Sequence, residues 1–479
     1  MSDRPREVGG WRETWKAAGV WVEVGRQLTI AWPMILTNLV AYAIIVLSIM
    51  FVGHLGELEL SSASFANSLA SITGFTVMQG LASALETLCG QAFGAKSYHL
   101  LGTYLQAAVA VLVVIGMPIT VLWWNMDTVL IWLGQDPTIA KMAGLYLRTL
   151  TPALFAAAIT QPLIKYLQTQ SVVLPMMVCS VITFLIHIPI SYLLVYEASF
   201  GGFCGGAIAV DISYWILLLQ LIGYTVWKTR ASEGHKTWNG FTGDALSLIF
   251  PFLRLAIPST LMLCVQFWAF ELLTFLSGLL PNPERELSFL SIFLNTAGLL
   301  FTIPFGLSAA ASTRVSNELG AHSPRAAKSA MNVVLGLSTV QVTIIATCIL
   351  LFGKLWTMAF SDEEEVIEYT SSAMPLLALS TLFDGIQGVL SGVARGCGRQ
   401  DLCAIMNIIS VYGVGLPTGI ILGFVCKLGA KGLFIGSLSG LGTYTCCLLV
   451  VILRTNWVKM AEVVQGRVSH SQEPLLLPE

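Results

Sequence analysis

The residues from Phe252 to Leu280 (FLRLAIPSTLMLCVQFWAFELLTFLSGLL) form one apolar run long enough to cross a bilayer as a helix, and a single carboxylate, Glu271, lies in its interior. Holding an ionised Glu at bilayer depth costs several kcal/mol, so such a residue normally faces the protein interior or a wet cavity and marks an ion or proton path. The competing reading is a structural Glu bonded to a neighbouring helix.

The rest of the chain has the same character. Apolar residues make up 55% of the 479 and charged residues 11%, about half the charged share of a soluble globular chain. The chain therefore reads as an integral membrane protein. Its basic start, up to about Gln27, contains no short apolar core with a small-residue cleavage site, so no removable signal is expected. The ten cysteines show no metal-ligand spacing and read as packing residues, so no metal and no cofactor is expected. A net charge of −2 gives no reason to expect a nucleic-acid partner.

Apolar runs between polar breaks give twelve candidate helices, starting near 28, 63, 102, 143, 172, 206, 250, 287, 327, 366, 402 and 432. An even number of spans puts both termini on one side. Nineteen of the Lys and Arg residues fall on that side. Lys141, Arg148, Arg285, Lys354, Lys427 and Lys431 fall opposite, beside the acidic cluster Asp362, Glu363, Glu364, Glu365 and Glu368. The positive-inside bias then makes both termini cytosolic.

The two halves repeat each other at a separation of about 226 residues. Pro33 answers Pro258, Gly80 answers Gly306, and Gly94-Ala95-Lys96-Ser97 answers Gly320-Ala321-His322-Ser323. Further on, Pro152 answers Pro375, Pro189 answers Pro417 and Gly206 answers Gly432. Six spans repeat as six, so two lobes related by an axis along the membrane normal should enclose a central cavity. The expected organisation is a cytosolic N-terminal segment (1–27), a first six-helix lobe (28–228), a cytosolic linker (229–246), a second lobe (247–453) and a cytosolic tail (454–479). The linker should let the lobes rock. The tail should be disordered, with a sorting signal as the other reading of its end.

Aligning the halves exposes an asymmetry. Glu271 corresponds to Val46, and Asp384 of the tenth helix corresponds to Gln161. Two carboxylates confined to one lobe suggest chemistry rather than architecture, because burial disfavours the charged form of an acid and allows a proton to be taken up and released. If they lie within a few Å they would titrate as a coupled pair. No hydroxyl cluster typical of a dehydrated sodium site surrounds them, so protons rather than sodium are expected. Asp211 and His187 are possible accessory groups, although either fits an ordinary satisfied polar residue. Phe267 and Trp268 share the Glu271 face by helical spacing, which suits a planar, cationic or amphipathic solute. With Asn38 and Tyr42 of the first helix they are the expected cavity residues, in a space bounded by the first, second, seventh, eighth and tenth helices.

The strings Glu86-Thr87-Leu88-Cys89-Gly90-Gln91-Ala92-Phe93-Gly94-Ala95, Ser277-Gly278-Leu279-Leu280-Pro281-Asn282-Pro283, Arg314-Val315-Ser316-Asn317-Glu318-Leu319-Gly320-Ala321 and Ser391-Gly392-Val393-Ala394-Arg395-Gly396-Cys397-Gly398 resemble the multidrug and toxic compound extrusion (MATE) family, plant branch. The resemblance runs from about Gln27 to Trp457. It implies a V-shaped, all-α membrane protein of twelve helices that exchanges protons, or in some members sodium, for organic solutes. It also implies protonation sites on a seventh-helix Glu and a tenth-helix Asp, matching Glu271 and Asp384. Where plant members often carry Trp after Gly-Cys-Gly, this chain has Arg399.

The expected function is a proton-driven antiporter, acting as a monomer in the plasma or vacuolar membrane. It would export or sequester xenobiotics, alkaloids, flavonoids or other secondary metabolites. A lipid flippase or channel of related architecture is the alternative. No motif of a membrane-embedded enzyme or of a nucleotide-binding loop is found.

Overall fold

The computed structural model describes residues 8–197, 201–231, 237–238, 240–360 and 363–476. Arg4 and Arg6, much of the linker with Lys236, Asp362 of the acidic cluster and the last three residues lie outside the described residues. Among those described there is no strand.

The helices are α1 (Val8–Gly53), α2 (Glu57–Gly94), α3 (Tyr98–Trp124), α4 (Pro137–Thr149 with Thr151–Thr169), α5 (Leu174–Glu197), α6 (Gly202–Ala231), α7 (Ile249–Ser277), α8 (Pro283–Gly320), α9 (Pro324–Met358), α10 (Met374–Cys397), α11 (Gln400–Val425), α12 (Gly429–Leu453) and α13 (Trp457–Leu476). Eleven are long and apolar enough to cross a membrane singly. The twelfth span is α4, bent by 46° at its break. The cause of the break is Pro152, which cannot donate a backbone bond and disfavours helical geometry in the residue before it.

Two boundaries differ most from the sequence reading. Helix α1 starts at Val8 rather than near 28, so most of the expected N-terminal segment is helical. The tenth span starts at Met374 rather than near 366, because a separate short helix, Glu364–Ser371, precedes it.

The repeat reaches down to backbone detail. A π-helical stretch closes α5 at Leu193–Glu197, and its counterpart 228 positions on, Ile421–Val425, closes α11. The turns after α2 and α8 each place a non-glycine residue in the left-handed region, Lys96 at φ 61° and His322 at φ 55°. At the ends of these two helices, an added Cβ at Gly94 would overlap the Asn317 carbonyl, and one at Gly320 would overlap the Gln91 carbonyl. Gly94 matches Gly320 and Gln91 matches Asn317 in the repeat, so α2 and α8 cross through a two-fold pair of glycines.

The halves are joined most densely on the side that carries the termini. There Glu86 of α2 bonds Lys165 of α4 at 2.5 Å and Arg395 of α10 at 2.9 Å. Glu86, Lys165 and Arg395 are 1%, 3% and 5% exposed. The sequence reading counted Lys165 and Arg395 among the terminus-side charges, and both are buried helix residues. Around them Gln91 donates to the Gly396 carbonyl, Gln168 to the Ala309 carbonyl and Asn317 to the Thr169 carbonyl. Arg314 of α8 holds Glu23 of α1 through two nitrogens.

The expected disordered tail is instead a helix, which corrects that reading. Trp457, Met460, Ala461, Val464 and Val468 recur at three- and four-residue spacing and are buried, so α13 lays one apolar face on the protein. Arg467 donates to Gln91 Oε1 at 2.8 Å and Gln472 to Ser97 Oγ at 2.8 Å. The linker is also less free than its composition suggests. Gln106 of α3 pairs with the Gly240 carbonyl and the Thr242 amide, and Thr237 meets the Tyr166 hydroxyl.

Replacing Glu86 with Ala would leave two cations buried without their carboxylate, a class of change that costs about 3–5 kcal/mol. A clear drop in melting temperature of the purified Glu86→Ala protein is expected. An unchanged melting temperature would mean that the cluster contributes nothing.

Candidate functional site

Helix α7 presents different chemistry on its two faces. Gln266, Ala269, Phe270 and Leu273 fall on one side at helical spacing and line a cavity inside the second half. Asp384 and Ser380 of α10, Tyr412 and Gly415 of α11, and Phe434 and Tyr444 of α12 complete much of the wall. The cavity holds about 50 Å³, room for a few waters at roughly 10–15 Å³ each. It is far below the ~300 Å³ of a drug-sized site. Asp384 makes no hydrogen bond or ion pair to another side chain recorded among the described residues. A carboxylate in a small, mainly apolar, hydratable pocket is suited to holding a proton and unsuited to holding an organic solute.

The backbone explains why the space exists. Helix α11 has a second π-helical stretch, Ile409–Gly415, for which α5 has no counterpart, and it carries the lining residues Val411, Tyr412 and Gly415. Single π turns inside helices recur at functional sites. In the repeat, Gly415 corresponds to His187. His187 is fully buried, with Nδ1 2.8 Å from Ser213 Oγ and Nε2 3.1 and 3.0 Å from Ser48 and Ser191 Oγ. The first half thus fills with an imidazole and three hydroxyls the level at which the second half has a glycine and a cavity.

Asp211 also has a local task. Its Oδ1 accepts from the Ala153 amide at 2.9 Å, so it satisfies a backbone donor freed at the α4 break.

The opposite face of α7 meets the first half. Glu271 Oε1 accepts from Ser68 Oγ of α2 at 2.5 Å, and Trp268 Nε1 donates to the Ile72 carbonyl at 3.2 Å. Ile72 lies in a π-helical stretch of α2, Ser71–Phe75. Two turns further toward the terminus side, an added Cβ at Gly80 would press on the Thr260 backbone. The pairs Gly80/Thr260, Ile72/Trp268 and Ser68/Glu271 keep one antiparallel register, so α2 and α7 are stitched along their length.

The equivalent edge between α1 and α8 is different. Gly306 abuts Ile35 as Gly80 abuts Thr260, but Gly298, the counterpart of Ile72, has nothing within 4 Å of its Cβ position. Along α1 beyond Ile35, Asn38 has a buried Nδ2 without a partner and Tyr42 is exposed. Along α8 beyond Gly306, Ser291 and Asn295 fall on one exposed stripe and bond each other. The sequence reading missed these two, although polar residues four apart in an apolar helix were a usable signal. Phe267 is 37% exposed and has no ring-stacking partner among the described residues.

The two carboxylates therefore lie on different sides of α7, with Asp384 on the inner cavity and Glu271 against the first half. No bond joins them.

A family model described as MatE matches residues 33–193 and again 258–421. The chain is similar to Protein DETOXIFICATION 16 of Arabidopsis thaliana, with 44% identity over 471 residues, 98% of this chain and 96% of the relative. Protein DETOXIFICATION 17 of the same plant is 43% identical over 94% of each. A solved structure described as the crystal structure of the eukaryotic MATE transporter AtDTX14 matches with a TM-score of 0.90 and 41% identity, covering 94% of this chain and 100% of that one. An outward-facing MATE family transporter of the MOP superfamily has the same fold at a TM-score of 0.79 and 16% identity, covering 94% and 97%.

Gly436 of α12 lies so close to Gly419 of α11 that an added Cβ would overlap its backbone. Gly436→Ala should force these helices apart and deform the Asp384 cavity. The expected result is lost transport together with a lowered melting temperature. Wild-type values for both would show that the close approach is dispensable.

Proposed function

The chain belongs to the MATE family of multidrug and toxic compound extrusion transporters, and from that premise we propose that it exports small organic solutes in exchange for protons. The observation that carries the proton part is Asp384, held without a counter-ion among the described residues in a cavity of water size inside the second half. The organic solute binds elsewhere, between the halves. Trp268, Phe267 and Tyr42 with the Glu271 carboxylate favour a planar, amphipathic or cationic molecule, and cation–π attraction would add about 0.5–2 kcal/mol.

The cycle is one of alternating access. The dense bonding on the terminus side, with termini placed in the cytosol by the Lys and Arg bias, describes a protein shut toward the cytosol. Solute leaves on the far side, and protons enter and neutralise Asp384 and Glu271. With both acids neutral the α2–α7 contact is released, the halves rearrange, and Arg395 parts from Glu86 as the cytosolic side opens. Proton release to the cytosol restores both charges and lets fresh solute bind. The two acids act at separate places, one inside the second half and one between the halves. We assign the first half to 28–228 and the second to 247–453, working as a monomer in the plasma or vacuolar membrane.

The test is exchange in reconstituted vesicles with an imposed pH gradient, using a mixed panel of organic cations and neutral metabolites. Glu271→Gln and Asp384→Asn are each expected to lower proton-driven exchange at least tenfold. Both should keep normal abundance and melting temperature, because an amide costs less than an ionised acid in the Asp384 cavity, and Glu271 is exposed, where a nearly isosteric change disturbs no packing. Wild-type exchange in either folded variant would remove that residue from the mechanism. Sodium-driven exchange at zero pH gradient would replace protons as the coupling ion.

A further inference from the structure

The stitched edge between α2 and α7 gives Glu271 a second connection besides water. Ser68 belongs to the first half and Glu271 to the second, yet Ser68 Oγ donates to Glu271 Oε1 at 2.5 Å. One turn away, Trp268 Nε1 bonds the Ile72 carbonyl across the same boundary at 3.2 Å. Outside the densely bonded terminus side, these are the two hydrogen bonds recorded between the halves among the described residues. On the matching edge of α1 and α8, Val46 and Leu294 stand where Glu271 and Ser68 stand here, and they offer no polar pair.

We infer that Ser68 is the positioning residue through which the charge of Glu271 is conveyed to the opposite half: the ionised carboxylate clasps α2 to α7, and protonation loosens the clasp. The inference rests on the proposed exchange reading only in taking Glu271 as a proton acceptor. A hydrogen bond to an ionised acceptor is roughly twice as strong as one between neutral groups. Adding a proton to Glu271 therefore weakens the bond without any movement of α7.

The surroundings leave this contact uncompensated. The charged groups on the helices packed around α7 are engaged elsewhere: Glu86 with Lys165 and Arg395, Glu286 with Arg285, Arg314 with Glu23 and Glu318, and Lys431 with the Ser372 hydroxyl. Asp401 sits at the terminus-side start of α11, and Tyr412 lines the Asp384 cavity. Glu57 and Glu59 lie more than two turns away along α2. Among the described residues no ion pair competes with Ser68 for Glu271. The neighbouring Trp268 bond does not titrate, so it fixes the register of the edge while the Ser68 bond responds to protons.

The test measures distance across the edge. Leu60 of α2 and Leu279, two residues past the end of α7, extend this edge by eight residues each and are 40% and 61% exposed, so spin labels at these two positions, in a background without other cysteines, report separation of the edge. In the parent protein a short distance is expected at alkaline pH and a longer population at acid pH. Ser68→Ala should show the longer population throughout, and Ser68→Thr, which keeps the hydroxyl, should restore the pH response. Glu271→Gln should make the distance independent of pH. A pH-responsive distance in Ser68→Ala equal to the parent's would overturn the proposal, as would a parent distance that does not change with pH. Exchange is measured on the same samples. Loss of exchange in Glu271→Gln alongside an unchanged clasp in Ser68→Ala would retain the transport reading and discard the role of Ser68. A melting temperature for each variant separates loss of the clasp from loss of the fold.

Discussion

A carboxylate buried between two cations ties the two halves together on the side that carries the termini. Glu86 and Lys165 come from α2 and α4 of the first half and Arg395 from α10 of the second, so Arg395 keeps its carboxylate only while the two halves are in contact. Pulling one partner away in a low-dielectric setting leaves an unpaired charge, which is strongly unfavourable, whereas full hydration of all three is tolerable. The cluster therefore favours two arrangements, closed and dry or open and wet, and disfavours those between. The glycine pair Gly94 and Gly320 lets α2 and α8 approach closely enough for the closed arrangement to exclude water.

The duplicated halves have diverged in what occupies their interiors. In the first, His187 and three serine hydroxyls fill the space, and Asp211 satisfies a backbone donor at the break in α4. In the second, an added π-helical stretch in α11 and a glycine at the matching place open the cavity that holds Asp384. At this level the first half pairs its buried histidine, and the second has a carboxylate left over.

Much of this was legible in the sequence. Run length set the spans, the order of Gly and Pro set the repeat, and comparing the halves singled out Glu271 and Asp384 before any coordinates. What remained hidden depends on long-range partners. Lys165 and Arg395 were counted only as terminus-side charges because nothing local shows that Glu86 waits for them, the latter 309 positions away. The π-helical stretches have no composition of their own, so neither the Ile72 carbonyl that Trp268 takes nor the width of the Asp384 cavity was visible. The α13 pattern was present in Trp457, Met460, Val464 and Val468, but its polar spacers obscured a helix that becomes stable only on contact with the bundle.

Helix α13 also bears on the order in which the molecule is assembled. Its bonds from Arg467 to Gln91 and from Gln472 to Ser97 join residues 376 and 375 positions apart. The ends of α2 and α3 are therefore synthesised and inserted long before the groups that cover them exist. Contacts so distant in sequence form late, after the chain entropy of everything between them has been spent. Until then, a polar and partly apolar groove stays open at the base of an otherwise finished bundle. A cell that surveys nascent membrane proteins for uncovered seams would find in that groove a direct sign of whether synthesis had run through residue 472.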